Sequence, residues 1–261
     1  MKIFDTHCHI ADPAFDEDRG AVLTRMREAE ICRANVVADP CEETPNQDRV
    51  FSLVEQNDFL VGSIGVHPHN ACRWSDAAEA TIRETLNHPK CVLLGEIGLD
   101  YHYDLSARDD QRRVFDHQLE MAHELDVSVQ LHIREAHEDT MDMFRARVSE
   151  GIMPRGIMHC FTGDWKTAKF YLDCGLYISL SGAVTFKNAP QLVEVAQKTP
   201  ADRLLIETDC PYMSPVPLRG RRNEPSFIVH TLEKIASVRG EAADVCAEQL
   251  FENSLRALGV N

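Results

Sequence analysis

Short apolar runs rich in β-branched residues recur along the chain and are separated by longer polar segments. Continuous runs of this kind are typical of strands that are buried on both faces. Eight runs are present, at residues 3–8, 34–38, 59–66, 91–97, 127–133, 156–161, 176–180 and 204–207. The connections between them are too long for hairpins and suit crossover helices. The pattern therefore predicts an α/β fold with a parallel sheet.

The polar segments carry apolar residues at helical spacing. Helices are predicted at residues 111–125, 164–172, 225–238 and 242–258. Eight strand–helix units favour a closed (β/α)8 TIM barrel over an open doubly wound sheet. Such a barrel takes about 250 residues, so the length of 261 residues predicts a single domain over positions 1–261. The segment DPCEETPNQD, residues 39–48, is expected to be the loop after the second strand.

Composition narrows the classes of function. The formal net charge of −15 argues against a broad basic groove for duplex nucleic acid. It leaves open a nucleic-acid substrate that is held by metal ions and a few arginines. Nine cysteines occur without a C-x-x-C pair, and the first segment, MKIFDTHCHI, lacks a signal-peptide pattern. No apolar run approaches the roughly 18 residues that span a bilayer. We therefore expect a cytoplasmic protein with free thiols and no membrane partner.

Metal-binding side chains stand at the ends of several predicted strands. His7 and His9 close the first strand, and they share a face because side chains alternate along a strand. Later strands end with Glu96, His132, His159 and Asp209. Barrel enzymes place catalytic groups where strands end, so these six residues predict a metal site at one end of the barrel.

The ligand types restrict the metal. Histidines with carboxylates suit zinc, manganese, iron or cobalt, and they suit magnesium where oxygen ligands dominate. Six ligands exceed what one tetrahedral ion needs, so Glu96, in the middle of the set, is a candidate bridge between two ions about 4 Å apart. Such a pair lowers the pKa of a bound water and stabilises both the attacking and the leaving oxygen.

A second group of residues predicts contacts to phosphate. The loop after the eighth strand, PVPLRGRRNEP, carries three arginines in four positions and includes Arg222 and Asn223. Arg134 directly follows the fifth strand. Planar guanidinium groups hold phosphate oxygens in pairs. The chain contains no Walker loop, G-x-G-x-x-G or G-x-S-x-G motif, which argues against an organic nucleotide cofactor and a serine hydrolase.

Two further histidines, His67 and His69 in GVHPH, also end a strand. They are expected to bind substrate or to orient metal ligands. The alternative is a structural turn around Pro68.

Taken together, these motifs resemble the TatD family of metal-dependent deoxyribonucleases, a branch of the amidohydrolase-like TIM barrels. The matching stretches run in family order over nearly the whole chain: DTHCHI, GVHPH, GEIGLDYHYD, LHIREAHEDT, HCFTG, YISLSGAVTFKNA, LLIETDCPYMSPVPLRGRRNEP and FENSLRAL. Glu96 stands on the fourth strand, where related two-metal barrels use a carboxylated lysine. This difference favours the TatD branch over the dihydroorotase-like and phosphotriesterase-like branches.

The resemblance implies a role for each motif residue. One metal would be held by His7, His9 and Asp209, with Glu96 bridging, and the second by His132 and His159. His67 would lie near the substrate phosphate.

The predicted function is divalent-metal-dependent hydrolysis of phosphodiester bonds in DNA, and the resemblance implies a 3′–5′ exonuclease that prefers single strands. One or two ions of magnesium, manganese or zinc are expected, with Asp209 and Glu96 as catalytic residues. Asp209 would act as a ligand and proton acceptor. His67, Arg134, Arg222 and Asn223 are the predicted substrate contacts.

Two alternatives remain open. A metal-dependent amide, ester or lactone hydrolase would act on a small molecule or on aminoacylated RNA, although the arginine-rich loop argues against a neutral substrate. A non-catalytic binding or scaffold protein would have no physical need for six metal ligands.

Overall fold

Strands and helices alternate along residues 1–260, which are the residues described by the structure, a computed structural model. The strands are β1 Ile3–Cys8, β2 Ile31–Ala38, β3 Leu60–Ile64, β4 Cys91–Asp100, β5 Val129–Arg134, β6 Gly156–Met158, β7 Tyr177–Leu180 and β8 Leu204–Ile206. The α-helices are α1 Arg19–Glu28, α2 Gln47–Glu55, α3 Asp76–Thr85, α4 Arg108–Glu124, α5 His137–Glu150, α6 Trp165–Asp173, α7 Pro190–Lys198, α8 Ile228–Arg239 and α9 Ala243–Leu258.

The strands form one sheet whose order follows the chain, from β1 to β8. The recorded strand pairs are parallel. Just beyond β1 and β8, the N–H of Asp209 donates to the carbonyl of His7 at 3.0 Å, and the N–H of His9 donates to the carbonyl of Cys210 at 2.9 Å. The first and last strands are therefore neighbours, and the prediction of a (β/α)8 TIM barrel is confirmed.

The contacts of the chain group into two compact units. The first unit comprises residues 1–36, 160–172 and those from 177 onward, with β1, most of β2, β7 and β8. Its buried side chains include Phe4, Phe15 and Leu192. The second unit comprises residues 37–159 and 173–176, with β3 to β6 and helices α2 to α5. The single domain over 1–261 stays a prediction.

Several strand boundaries differ from those predicted. Strand β2 begins three residues earlier, because Ile31 and Arg33 pair with β1. Strand β4 continues to Asp100 rather than ending at Ile97. Strand β6 stops at Met158, shortly before Cys160, whose φ of +40° does not continue a strand. These ends depend on local backbone geometry that hydrophobicity does not encode.

Other sequence predictions hold with small changes. Residues 39–46 form the loop after β2, but residues 47 and 48 already belong to α2. All nine cysteines lie in the described part of the chain, and each is a free thiol. Among the described helices, none is both long and apolar enough to cross a bilayer.

Gly98 explains why β4 runs on past its predicted end. Its φ is +152°, a conformation that side-chain-bearing residues rarely adopt, and it pairs with His132 of β5. A Cβ atom at this position would lie 1.9 Å from the carbonyl oxygen of His132. The absence of a side chain therefore allows β4 and β5 to pair as far as Asp100 and Arg134.

We predict that Gly98→Ala lowers the free energy of unfolding by about 2 kcal/mol or more, because the backbone of β4 must move away from β5. Urea denaturation measures the change. Gly20→Ala is the control: Gly20 lies in α1, with no atom within 4 Å of an added Cβ. The free energy of unfolding of Gly20→Ala should rise by about 0.5–1 kcal/mol. Equal denaturation midpoints for Gly98→Ala and the wild type would contradict the prediction.

Candidate metal centre

The first unit brings together His7, His9 and Asp209, as the sequence predicts. The two Nε2 atoms of His7 and His9 lie 3.0 Å apart. The Oδ1 atom of Asp209 lies 3.7 Å from the Nε2 of His7 and 3.5 Å from that of His9. His7 is fully buried, whereas His9 is partly exposed. Three atoms that commonly bind metals therefore converge on one side of the strand ends.

Buried polar groups hold this cluster in place. The carboxyl group of Asp5 accepts hydrogen bonds from the N–H and Oγ1 of Thr208, at 2.9 and 2.6 Å, and from the N–H of His7 at 3.3 Å. Burial raises the pKa of Asp5 to about 8. Asp5 thus connects the backbone beside both His7 and Asp209.

The second unit gathers three histidines around one carboxylate oxygen. The Oε1 atom of Glu96 lies 2.7 Å from Nδ1 of His132, 3.0 Å from Nε2 of His159 and 3.5 Å from Nε2 of His67. Glu96 and His159 are each only 5% exposed. Strands β4 and β5 supply Glu96 and His132, and His159 directly follows β6.

Asp100, at the end of β4, orients this second cluster. Its Oδ2 atom lies 3.1 Å from Nε2 of His132 and 2.9 Å from Nε2 of His69. Burial opposes ionisation of Asp100, but the hydrogen bonds from His132 and His69 outweigh it and hold its pKa well below the usual value. An ionised Asp100 accepts the Nε2 proton of His132, which leaves Nδ1, 2.7 Å from Oε1 of Glu96, as the ring nitrogen that can bind a metal.

The surroundings of His67 indicate a hydrogen-bond donor rather than a metal ligand. Burial lowers the pKa of His67 to about 4, so the ring is neutral near pH 7. Its Nδ1 accepts a hydrogen bond from the N–H of His69 at 3.2 Å, which leaves the ring proton on Nε2. The N–H of His67 donates to the buried carboxylate of Asp39 at 3.1 Å, which fixes the position of this turn.

The predicted phosphate contacts divide into two kinds. Arg134 lies over the ring of Tyr103, with 4.7 Å between the guanidinium carbon and the ring centroid. Its side chain is partly exposed, and the residue stands two positions after His132 in the sequence. The contact of Arg134 with a phosphate stays a prediction.

Arg222 and Asn223 make contacts within the protein instead. The guanidinium of Arg222 forms two 2.8 Å contacts with the carboxylate of Asp18, and it donates to the carbonyl of Ala14 at 2.7 Å. A substrate contact by Arg222 would require this ion pair to break.

Asn223 is fully buried. Its amide donates to the carbonyls of Thr208 and Tyr212, at 2.9 and 2.6 Å, and so holds the chain on both sides of Asp209. The expectation that Asn223 binds substrate is therefore corrected: the side chain shapes the loop that carries Asp209.

The sequence reasoning missed two supporting carboxylates, Asp5 and Asp100. Asp100 stands four residues after Glu96 at the end of the same apolar run, which is a usable signal. The apolar run predicts a strand that ends at Ile97, which places Asp100 outside it. Asp5 gave no signal, since a carboxylate within a strand is ordinarily solvated.

We predict that Asp100→Asn weakens binding of a divalent ion about 10- to 100-fold, because His132 loses the acceptor that fixes its tautomer. Calorimetric titration of the metal-free protein with Zn²⁺ or Mn²⁺ measures the affinity. Asp104→Asn is the matched control, since Asp104 lies in the same loop and pairs with the exposed Arg108. Wild-type affinity in Asp100→Asn would limit Asp100 to a role in loop structure.

Comparisons with known proteins identify the family of this chain. The sequence matches the family described as TatD related DNase over residues 4–259. It is 38% identical over 259 residues to YabD of Bacillus subtilis, named a metal-dependent hydrolase, covering 99% of this chain and 100% of that protein. It is 34% identical over 263 residues to the 3′-5′ ssDNA/RNA exonuclease TatD of Pantoea ananatis, covering 99% and 100%.

The fold matches the crystal structure of YJJV, a TatD homologue from Escherichia coli K12, with a TM-score of 0.90 and 30% identity, covering 99% of this chain and 98% of that one. Because the family match and these relatives span almost the whole sequence, the chain belongs to the TatD-related DNase family of metal-dependent hydrolases.

Proposed function

We propose that this protein hydrolyses phosphodiester bonds in DNA with divalent metal ions, as a 3′–5′ exonuclease that prefers single strands. The observation that carries the proposal is the set of three imidazole nitrogens within 3.5 Å of one Glu96 oxygen. One of the three, on His67, is a proton donor, which suits contact with an anionic substrate. Full-length relatives named 3′-5′ ssDNA/RNA exonuclease support the choice of bond.

The residues present fit divalent metal ions. Two ligands bound about 2.1 Å from one ion lie roughly 3–3.5 Å apart, and the atoms of His7, His9 and Asp209 are 3.0–3.7 Å apart. Nitrogen-rich sets suit zinc or manganese better than magnesium. We propose one or two ions.

We further propose that Glu96 would help to hold both ions, with His132 and His159 as ligands of the second. The TatD resemblance supports this assignment, as does the rule that barrel enzymes assemble their sites from the carboxyl ends of strands.

The chain's own groups would then divide the work. Bound ions would activate water and neutralise charge on the phosphoryl oxygens. The Oδ1 atom of Asp209 would accept the proton that the attacking water releases. His67 would donate its Nε2 proton in a hydrogen bond to a phosphoryl oxygen, and Arg134 would pair with the next phosphate. The acidic surface would restrict binding to unpaired strands and chain ends.

We also propose a cytoplasmic location. Nine free thiols support it, because cysteines that stay unpaired are usual in reducing compartments.

We predict that the wild-type protein with Mn²⁺, Mg²⁺ or Zn²⁺ releases nucleotides from single-stranded DNA. Glu96→Gln should lower kcat/KM at least about 100-fold, because the substitution removes a carboxylate oxygen that would bind metal and that three histidines of the second cluster surround. Glu135→Gln is the control, because Glu135 is exposed and contacts His102. Circular dichroism checks that each variant is folded.

The substrate panel contains 3′-labelled and 5′-labelled single strands, a blunt duplex, dihydroorotate and a simple lactone. Hydrolysis of dihydroorotate or the lactone, with no nucleotide release under any metal, would contradict the nuclease assignment and support the alternative amide or lactone hydrolase. Wild-type turnover by Glu96→Gln would instead remove Glu96 from the metal centre.

We predict that replacing Arg134 changes the salt dependence of KM and that replacing Arg222 does not. Arg134→Ala should raise KM for single-stranded DNA and reduce the slope of log KM against log salt by about 0.7, the value for one lost phosphate contact to a single strand. Arg222→Ala should leave this slope unchanged, because Arg222 is engaged by Asp18, and should lower only the thermal stability. A reduced slope in Arg222→Ala would show that the ion pair opens for substrate.

A further inference from the structure

Two exposed tyrosines follow the carboxylates of the two clusters at the same spacing. Tyr103 stands three residues after Asp100, and Tyr212 stands three residues after Asp209. Their exposed fractions are 53% and 59%, although large aromatic side chains are usually mostly buried. Each belongs to the loop that follows a strand, which is where barrel enzymes bind substrates.

Each ring touches a histidine of its own cluster. In the second unit, the ring centroids of Tyr103 and His69 are 5.4 Å apart, with planes at 88°. In the first unit, the centroids of Tyr212 and His9 are 6.2 Å apart, with planes at 70°. Tyr212 therefore lies beside the candidate metal ligand His9, and Tyr103 lies beside the histidine that pairs with Asp100, while more than half of each tyrosine side chain remains open to solvent.

The backbone holds Tyr103 in a fixed position. Asp100 accepts hydrogen bonds through Oδ1 from the N–H groups of His102 and Tyr103, at 3.0 and 2.9 Å. The buried amide of Gln111 donates to the carbonyl of Ser106 at 2.9 Å. The carboxylate that orients His132 thus also holds the backbone that carries this exposed ring.

Tyr212 is held in a comparable way. Its N–H donates to the carbonyl of Asp209 at 2.9 Å, and its carbonyl accepts from the buried Asn223 amide at 2.6 Å. An aromatic ring that is fixed before binding loses little conformational entropy when a flat partner stacks on it.

We propose that Tyr103 and Tyr212 are stacking platforms for the nucleobases of a single-stranded substrate, an inference that rests on the proposed function. Aromatic rings beside a cationic group are the general means of holding single strands, because every base has a π face. Arg134 supplies that cation next to Tyr103. A paired duplex keeps its bases stacked on one another, so this arrangement selects unpaired ends.

The test compares oligonucleotides that differ only in the base. One substrate carries normal bases, and the other has abasic nucleotides at its last two 3′ positions. We expect Tyr103→Ala and Tyr212→Ala each to lower kcat/KM about 5- to 150-fold on the normal substrate. Tyr103→Phe and Tyr212→Phe should stay within about twofold of wild type, because stacking needs the ring and not the hydroxyl group. On the abasic substrate, all variants should match the wild type.

A spectroscopic measurement separates stacking from a structural role. An oligonucleotide with phosphorothioate linkages and a 3′-terminal 2-aminopurine should lose fluorescence on binding to the wild type and to the phenylalanine variants, and lose less on binding to the alanine variants. Leu125→Ala, which removes an exposed apolar side chain at the end of α4, is the control and should behave as the wild type.

The outcomes distinguish the two proposals. Nucleotide release by the alanine variants at the wild-type rate, or an equal loss on normal and abasic substrates, overturns the stacking assignment and leaves the nuclease intact. A wild-type protein that releases no nucleotide with any metal overturns the proposed function, and the stacking assignment with it.

Discussion

The carboxylate of Asp100 is the group on which the candidate site of the second unit depends most. One oxygen faces Nε2 of both His132 and His69, and the other accepts two backbone N–H groups of the loop that carries Tyr103. A single ionised side chain thereby orients the ring of a candidate metal ligand and holds the backbone that carries an exposed aromatic ring. Because its pKa is held low by these same hydrogen bonds, Asp100 remains an acceptor at physiological pH.

In the first unit, different buried groups hold the candidate metal-binding side chains in position. Here the buried Asp5 and the buried Asn223 connect the backbone around His7, Thr208 and Tyr212, so the candidate ligand Asp209 is held from both sides. Polar groups with complete sets of hydrogen bonds are expensive to displace from a protein interior. The ligands therefore stand on rigid strand ends and braced loops, which keeps their atoms about 3–4 Å apart without an intervening rearrangement.

Strand geometry and chemistry are coupled in β4. Gly98 has no Cβ, so β4 and β5 pair closely enough to place His132 within hydrogen-bond distance of both Glu96 and Asp100. Arg134 lies over the ring of Tyr103, whereas Arg222 is paired with Asp18. Selection for unpaired strands would then follow from stacking and from general repulsion of duplex flanks.

The sequence by itself determined the alternation of strands and helices, the parallel barrel and the candidate metal-binding residues at strand ends. These depend on periodicity and on residue type, which are local properties. Only the tertiary structure decided that β4 reaches Asp100, that Asp5 and Asp100 support the ligands, and that Arg222 and Asn223 turn inward to Asp18 and to the loop around Asp209. Hydrogen-bond partners far apart in the chain leave no periodic trace, so a charged or amide side chain reads the same in sequence whether it faces solvent, substrate or a buried backbone group.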